Sequence, residues 1–218
     1  MENSEWQKLH KELDGCDSCP LRKECIAPVG WFGSTESPLM IVGEGPGGVE
    51  DEYGCPLIGP SGQFLDRVLW AAHITRDRII TSNVIKCRPK NNRTPTPEEG
   101  AFCANRWLTR EIRLLRPKVI VALGSVALRY FLNPDARITH TRGQWFKTQV
   151  DGVGDIDCIA TYHPSYLLRQ NGKPQLRLKW DMFYDLEAAK AKALEAVPGY
   201  EFSSGEPVRL FERFGKRL

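Results

Sequence analysis

Cysteines stand at positions 16, 19, 25, 55, 87, 103 and 158 of this 218-residue chain. Thiolates bind soft metals or join as disulfides, so their spacing is the first clue to chemistry. Cys16 and Cys19 form the C-x2-C "CDSC", and Pro20 follows at once to help set a turn. That spacing lets two thiolates reach one metal centre. Cys87 and Cys103 bracket "CRPKNNRTPTPEEGAFC", a stretch with three prolines, two adjacent asparagines and little that could pack in a core. The polar, acidic start "MENSEWQKLHKELDGC" lacks the layout of a secretory signal, so a cytoplasmic protein is expected. An odd cysteine count in a reducing compartment argues against a disulfide framework. Four thiolates suit zinc or an iron–sulfur cluster, and spacing alone does not choose between them.

Oxygen and nitrogen groups gather at three other places. "GEGPGGVEDEYGCPLIGPSG" is glycine-rich, with Glu44 and Glu50 near its start and no Walker lysine. Its glycines read either as a structural turn or as a place where the backbone approaches a ligand closely. Asn83 ends an apolar run, and its amide offers one acceptor and two donors, which suits the edge of a pyrimidine. Taken alone, a turn-forming asparagine is the simpler explanation. His163 in "TYHPS", its backbone restricted by Pro164, reads either as a structural histidine, the commoner case, or as one positioned to stabilise developing negative charge. Leu167 and Leu168 beside Arg169 read either as wedges for a base stack or as the start of an ordinary helix.

The elements that must position these groups alternate. An apolar strand in "SPLMIVG" leads into the glycine-rich loop, and 61–74 has a helical rhythm of apolar residues. Residues 77–87 read as a second strand, with Asn83 near its end. Thr96, Pro97, Glu98 and Glu99 make a strong helix start, which places Cys103 inside that helix. "KVIVALG" is a buried strand, "SVALRYFL" a helix, 157–165 another strand, and 176–197 a long helix. Strand–loop–helix units in series predict a single α/β domain. Its central, mostly parallel sheet is flanked by helices as an α/β/α sandwich. In such sheets ligands bind beyond the carboxyl ends of the strands, where "GEGPGG", "NVIKC" and "YHPS" all fall. The domain is expected over 1–197, with 198–218 as a C-terminal extension. No run of about 20 apolar residues exists, so no membrane span is expected. Net charge is only +3, but Lys86–Arg93 and Arg169–Lys179 each hold four basic residues and no acid. Basic loops beside a site suit a polyanion such as nucleic acid.

"CDSCPLR", "GEGPGGVED", "GPSGQFLDRVL", "NVIKCRPKNNRTPTPEE…C" and "YHPSYLLR", in this order, resemble the family 4 uracil-DNA glycosylases, the iron–sulfur branch of their superfamily. The resemblance covers roughly residues 16 to 190. It implies a [4Fe–4S] cluster on Cys16, Cys19, Cys87 and Cys103, structural in role, shaping a loop that meets DNA. Cys25, Cys55 and Cys158 match no ligand position. It places the catalytic groups on Glu44, Asn83 and His163, and the base pocket on Gly45, Glu50, Leu57 and Asn83. Ser61, Arg88, Ser165, Leu167, Leu168 and Arg169 would contact DNA, single- or double-stranded. The implied reaction flips a pyrimidine, uracil first, out of the stack and hydrolyses its N-glycosidic bond to leave an abasic site. The enzyme is expected to act as a monomer.

Two departures bear on the base. The family's phenylalanine in "PFVG", whose ring stacks on uracil, is replaced here by Leu57 in "PLIG". Base–aromatic stacking is worth ~1–3 kcal/mol per base. Gly48 and Val49 stand where acidic residues are common in the family. A pocket re-cut for a bulkier pyrimidine, such as a modified cytosine of phage DNA excised in defence, is the second expectation. A non-catalytic iron–sulfur DNA-binding module is a third, against which the retention of Glu44, Asn83 and His163 counts. A basic, histidine-bearing insertion that goes with covalent capture of DNA in another branch is absent.

Overall fold

A computed structural model describes residues 5–217. The strands are β1 (Phe32–Gly33), β2 (Leu39–Gly43), β3 (Ile80–Asn83), β4 (Val119–Leu123), β5 (Trp145–Val150) and β6 (Gly154–Thr161). They form one sheet in the order β1-β3-β2-β4-β6-β5. The four inner strands are parallel, and β1 and β5 close the edges antiparallel. The helices are α1 (Glu5–Asp14), α2 (Gly48–Tyr53), α3 (Pro60–Ala71), α4 (Pro97–Cys103), α5 (Thr109–Leu115), α6 (Ser125–Phe131), α7 (Ile138–Thr141), α8 (Pro164–Leu168), α9 (Gly172–Ala196) and α10 (Leu210–Arg213). The α/β sandwich read from the sequence is the architecture found. None of these helices is long and apolar enough to cross a membrane.

The inner strands are apolar along their whole length because both faces are covered. Met40 and Val42 of β2 point into a core shared with α1, α5 and α6, while Leu39 and Ile41 point into one shared with α3 and α9. The period of two in a strand makes this division inevitable. Helix α4 begins as expected: Thr96 caps the Glu99 N–H at 3.2 Å, and the Glu99 carboxylate returns to the Thr96 N–H at 2.9 Å. A π-helical turn, Ala104–Leu108, joins α4 to α5 directly after Cys103.

The second strand is shorter than its apolar run. It ends at Asn83, because the next residues turn to bond the glycine-rich loop: Val84 N–H donates to Gly43 and Ile85 N–H to Glu44. The tail is only partly helical. Val208, Leu210 and Phe214 pack with Phe32, Cys55 and Ile58 into a small third core. Arg217 reaches back to the Ala27 and Pro28 carbonyls at 3.1 and 3.0 Å, and its N–H donates to Glu52 of α2.

Candidate active site

Four strand ends converge. Gly43 pairs with Asn83 at the ends of β2 and β3, and Leu123 pairs with Thr161 at the ends of β4 and β6. The loop after β2 and the turn into α8 thus face each other across one edge of the sheet. Gly124 lies so near the α8 turn that a Cβ there would meet that of His163 at 2.8 Å.

Asn83 sits at the centre of this edge, only 1% exposed, and neither its amide nitrogen nor its amide oxygen has a hydrogen-bond partner. Leaving such a group unpaired costs ~1–3 kcal/mol. Gly43 makes room for it: a Cβ on Gly43 would stand 2.5 Å from the Asn83 oxygen and 3.6 Å from Leu57 Cδ2. Leu57 and the free amide therefore flank the same glycine. Leu57 is buried and has a left-handed backbone, φ 54°. Gly45 serves the same close packing, since a Cβ there would strike Ile85 at 2.5 Å.

His163 caps α8. The Ser165 N–H donates to its Nδ1 at 3.2 Å, and the Ser165 hydroxyl lies 2.8 Å from the same nitrogen. An Nδ1 that accepts an N–H bond carries no proton, so Nε2 carries it. Burial, and then the charge of Arg169, push the pKa of His163 down to about 4. At neutral pH it is an uncharged imidazole with one N–H donor to offer. Glu44 is half-buried, and burial raises its carboxyl above the ordinary value of 4.5.

Other expected residues take different places. Glu50 braces the loop from within: its carboxylate accepts the Gly47 N–H at 3.1 Å and the Gly59 N–H at 2.7 Å. Both oxygens are thereby committed to the fold, and the pocket role expected of it passes to backbone shaping. Leu167 is fully buried in the core beside Met182, so it is no wedge; Leu168 next to it is 40% exposed. Neighbouring helical residues lie ~100° apart, so Leu167 faces the core while Leu168 faces outward. Ser61 is partly buried at the first turn of α3. Arg88 lies against Gly48 and donates to Asn92 at 2.7 Å. Arg169 remains exposed beside the α8 turn.

Of the four thiols expected to act together, Cys87 and Cys103 are buried in one core, and Cys16 and Cys19 pack against it. Cys103 feels Cys16 and Cys19 electrostatically, and Cys87 feels Cys19 and Cys103. The Lys86 N–H donates to the Cys103 sulfur at 3.3 Å. Glu24 ties the two cysteine segments together by accepting the Lys90 N–H at 2.7 Å. Cys25, which matches no ligand position, packs against the same core, its thiol 3.7 Å from the Arg22 carbonyl. Among the described residues no three Cys, His, Asp or Glu side chains close tightly on a single metal ion. The chemistry of an all-sulfur donor set fits either a zinc ion or an iron–sulfur cluster.

Sequence reading missed two buried cations. Lys86 is 1% exposed and donates to Glu111 at 2.7 Å, Ser82 at 2.6 Å and the Asn83 carbonyl at 2.9 Å. Arg76 is 2% exposed and binds Asp66 of α3 and the carbonyls of Pro56 and Leu57. No local motif marks either one; the only signal is a basic residue within an apolar stretch.

The family described as "Uracil DNA glycosylase superfamily" matches residues 31–187. A type-4 uracil-DNA glycosylase of Thermotoga maritima is 40% identical, over 84% of this chain and 92% of the relative. One from Pyrobaculum aerophilum is 38% identical, over 78% and 87%, and one from Archaeoglobus fulgidus 34%, over 78% and 85%. The chain belongs to the uracil-DNA glycosylase superfamily, in its type-4 branch.

Proposed function

We propose that the protein is a monofunctional DNA glycosylase that takes uracil out of the base stack and hydrolyses its N-glycosidic bond. The observation that carries the reading is Asn83: a buried carboxamide, free at both ends, at the mouth of the parallel sheet. A uracil edge presents one N–H donor and one carbonyl acceptor, which the amide oxygen and amide N–H can meet. The type-4 names of the relatives agree with that base.

In the reaction the C1′–N1 bond breaks and its electron pair stays on the base. The sugar is left cationic, and water then adds to C1′ and loses a proton. His163 Nε2–H donates to the pyrimidine oxygen where negative charge grows, and its neutrality keeps the proton on the enzyme. Glu44, ionised, orients the water or offsets the sugar's charge. Asn83 holds the base edge, and Leu57 covers the ring. Leu168 and Arg169 face outward at the α8 turn, where the displaced stack and its phosphates would lie. Cys16, Cys19, Cys87 and Cys103 would hold a [4Fe–4S] cluster. When bound, that cluster fixes the cysteine loops against one another, and the chemistry of the base falls to the side chains above. We place the catalytic domain in 1–197, with 198–218 strapped onto it, in a monomer acting on DNA in the cytoplasm.

The decisive assay is alkali-labile cleavage of an oligonucleotide holding one uracil. Cleavage at that position is expected. Its absence from folded, cluster-loaded protein that cleaves at a modified cytosine would move the substrate to that base. Silence on both would leave a DNA-binding module.

A further inference from the structure

Arg76 touches none of the groups assigned to catalysis, yet its guanidinium grips the loop that carries Leu57. Nη1 donates to the Leu57 carbonyl at 2.9 Å and Nη2 to the Pro56 carbonyl at 2.8 Å. Nη1 also meets Asp66 of α3 at 2.9 Å, and Nη2 lies 3.4 Å from the Thr81 hydroxyl of β3. One planar fork thus joins helix, strand and loop. A lysine ammonium, a single point, cannot span both carbonyls in this way.

The loop needs such a grip. A leucine at φ 54° costs ~1–2 kcal/mol and persists only where its surroundings over-determine it. The second constraint is Gly62, whose missing Cβ would fall 1.6 Å from the Leu57 carbonyl oxygen. Between Gly62 and Arg76 the carbonyl is fixed, and the side chain must then point the other way, over Gly43 and toward the Asn83 amide.

We propose that Arg76 is a specificity-positioning residue: it sets the height of Leu57 over the pocket and thereby the size of pyrimidine that fits beside Asn83. The inference rests on the reading of Leu57 and Asn83 as the base pocket. Released from Arg76, the 56–59 loop relaxes, uracil is held less closely, and a substituent at the pyrimidine C5 is excluded less well.

The test compares excision of uracil and 5-bromouracil from the same single-stranded oligonucleotide by the wild-type protein, Arg76→Lys, Leu57→Ala and the double variant. Arg76→Lys is expected to raise KM for uracil about tenfold with a smaller change in kcat, and to narrow the preference for uracil by about tenfold. Leu57→Ala should do the same, and the double variant should be no worse than Leu57→Ala alone, since both act on one side chain. Wild-type discrimination in Arg76→Lys beside an altered Leu57→Ala overturns the inference alone. So do effects that add in full. An unaltered Leu57→Ala overturns the pocket reading and the inference with it. Should Arg76→Lys fail to fold, Asp66→Asn loosens the same anchor while leaving the guanidinium in place. It is expected to shift discrimination in the same direction by less, and wild-type discrimination there counts against the inference equally.

Discussion

Asn83 and Lys86 stand three residues apart, and both are buried polar side chains, 1% exposed. Lys86 has three protons and three acceptors: Glu111, Ser82 and the carbonyl of Asn83 itself. The Asn83 amide has none. One group is complete within the chain; the other is complete only when something else arrives. A buried ion pair saturated in this way maintains architecture, here the register between the end of β3 and the helix after Cys103. A buried amide held open by glycine, at a strand's carboxyl end, is what a binding site costs a fold before its ligand comes. Lys86 also holds the backbone of the residue whose side chain it leaves free, so the saturated group positions the unsaturated one.

Five substitutions break or sharpen that contrast. The largest effect is expected from Glu111→Gln, which strands the Lys86 charge and should lower folding stability by ~3–5 kcal/mol in a denaturant titration. A loss below about 1 kcal/mol would mean that water or another group already shares the charge. Asn83→Ala should do the reverse: stability within about 1 kcal/mol of wild type, but single-turnover excision slower by ~10²–10³. His163→Ala should lose activity on the same scale, and near-normal turnover in both variants would remove the site as assigned. Glu44 supplies a pH test. Its carboxyl is raised by burial, so activity that needs the anion should fall, as acid is added, with a midpoint above 4.5. His163 does not charge until about pH 4, so the limb at higher pH belongs to Glu44. Glu44→Gln should leave a slower enzyme whose rate no longer has that limb. An unchanged limb would assign it to another group. The smallest effect is expected of Leu57→Phe, which offers a ring to the base and should improve kcat/KM for uracil by about fivefold through stacking. A gain confined to a bulky base would reverse the size argument for this position.

Much of this was legible in order along the chain. Apolar runs located β2, β4 and β6, and Thr96-Pro97 located the start of α4 to the residue. The strand-end rule pointed to the segments that hold Glu44, Asn83 and His163, and the family resemblance, not the rule, assigned their roles. What escaped were contacts made across sequence. Lys86 and Glu111 are 25 residues apart, and Arg76 reaches Pro56 across 20. Strand β5 alternates weakly and covers an edge, with Trp145 exposed, so no apolar run announced it. Glu50 and Leu167 carried the right residue type for a site but face the loop and the core, because side-chain direction in short helices is settled by packing.

The Arg217 contact has a consequence in time. It joins a residue near position 27 to one 190 positions later, and on the way its backbone binds the helix that bears Glu50. At ribosomal rates of roughly 5–20 residues per second, the two ends of that contact are made on the order of 10–40 s apart. Only late in that interval is the parallel sheet complete, since its last strand ends at Thr161. The glycine-rich loop then has its bonds to Val84, Ile85 and Ile26 but not yet the one to Arg217. A nascent chain therefore has Asn83 and its strand before it has the strap across the helix that bears Glu50.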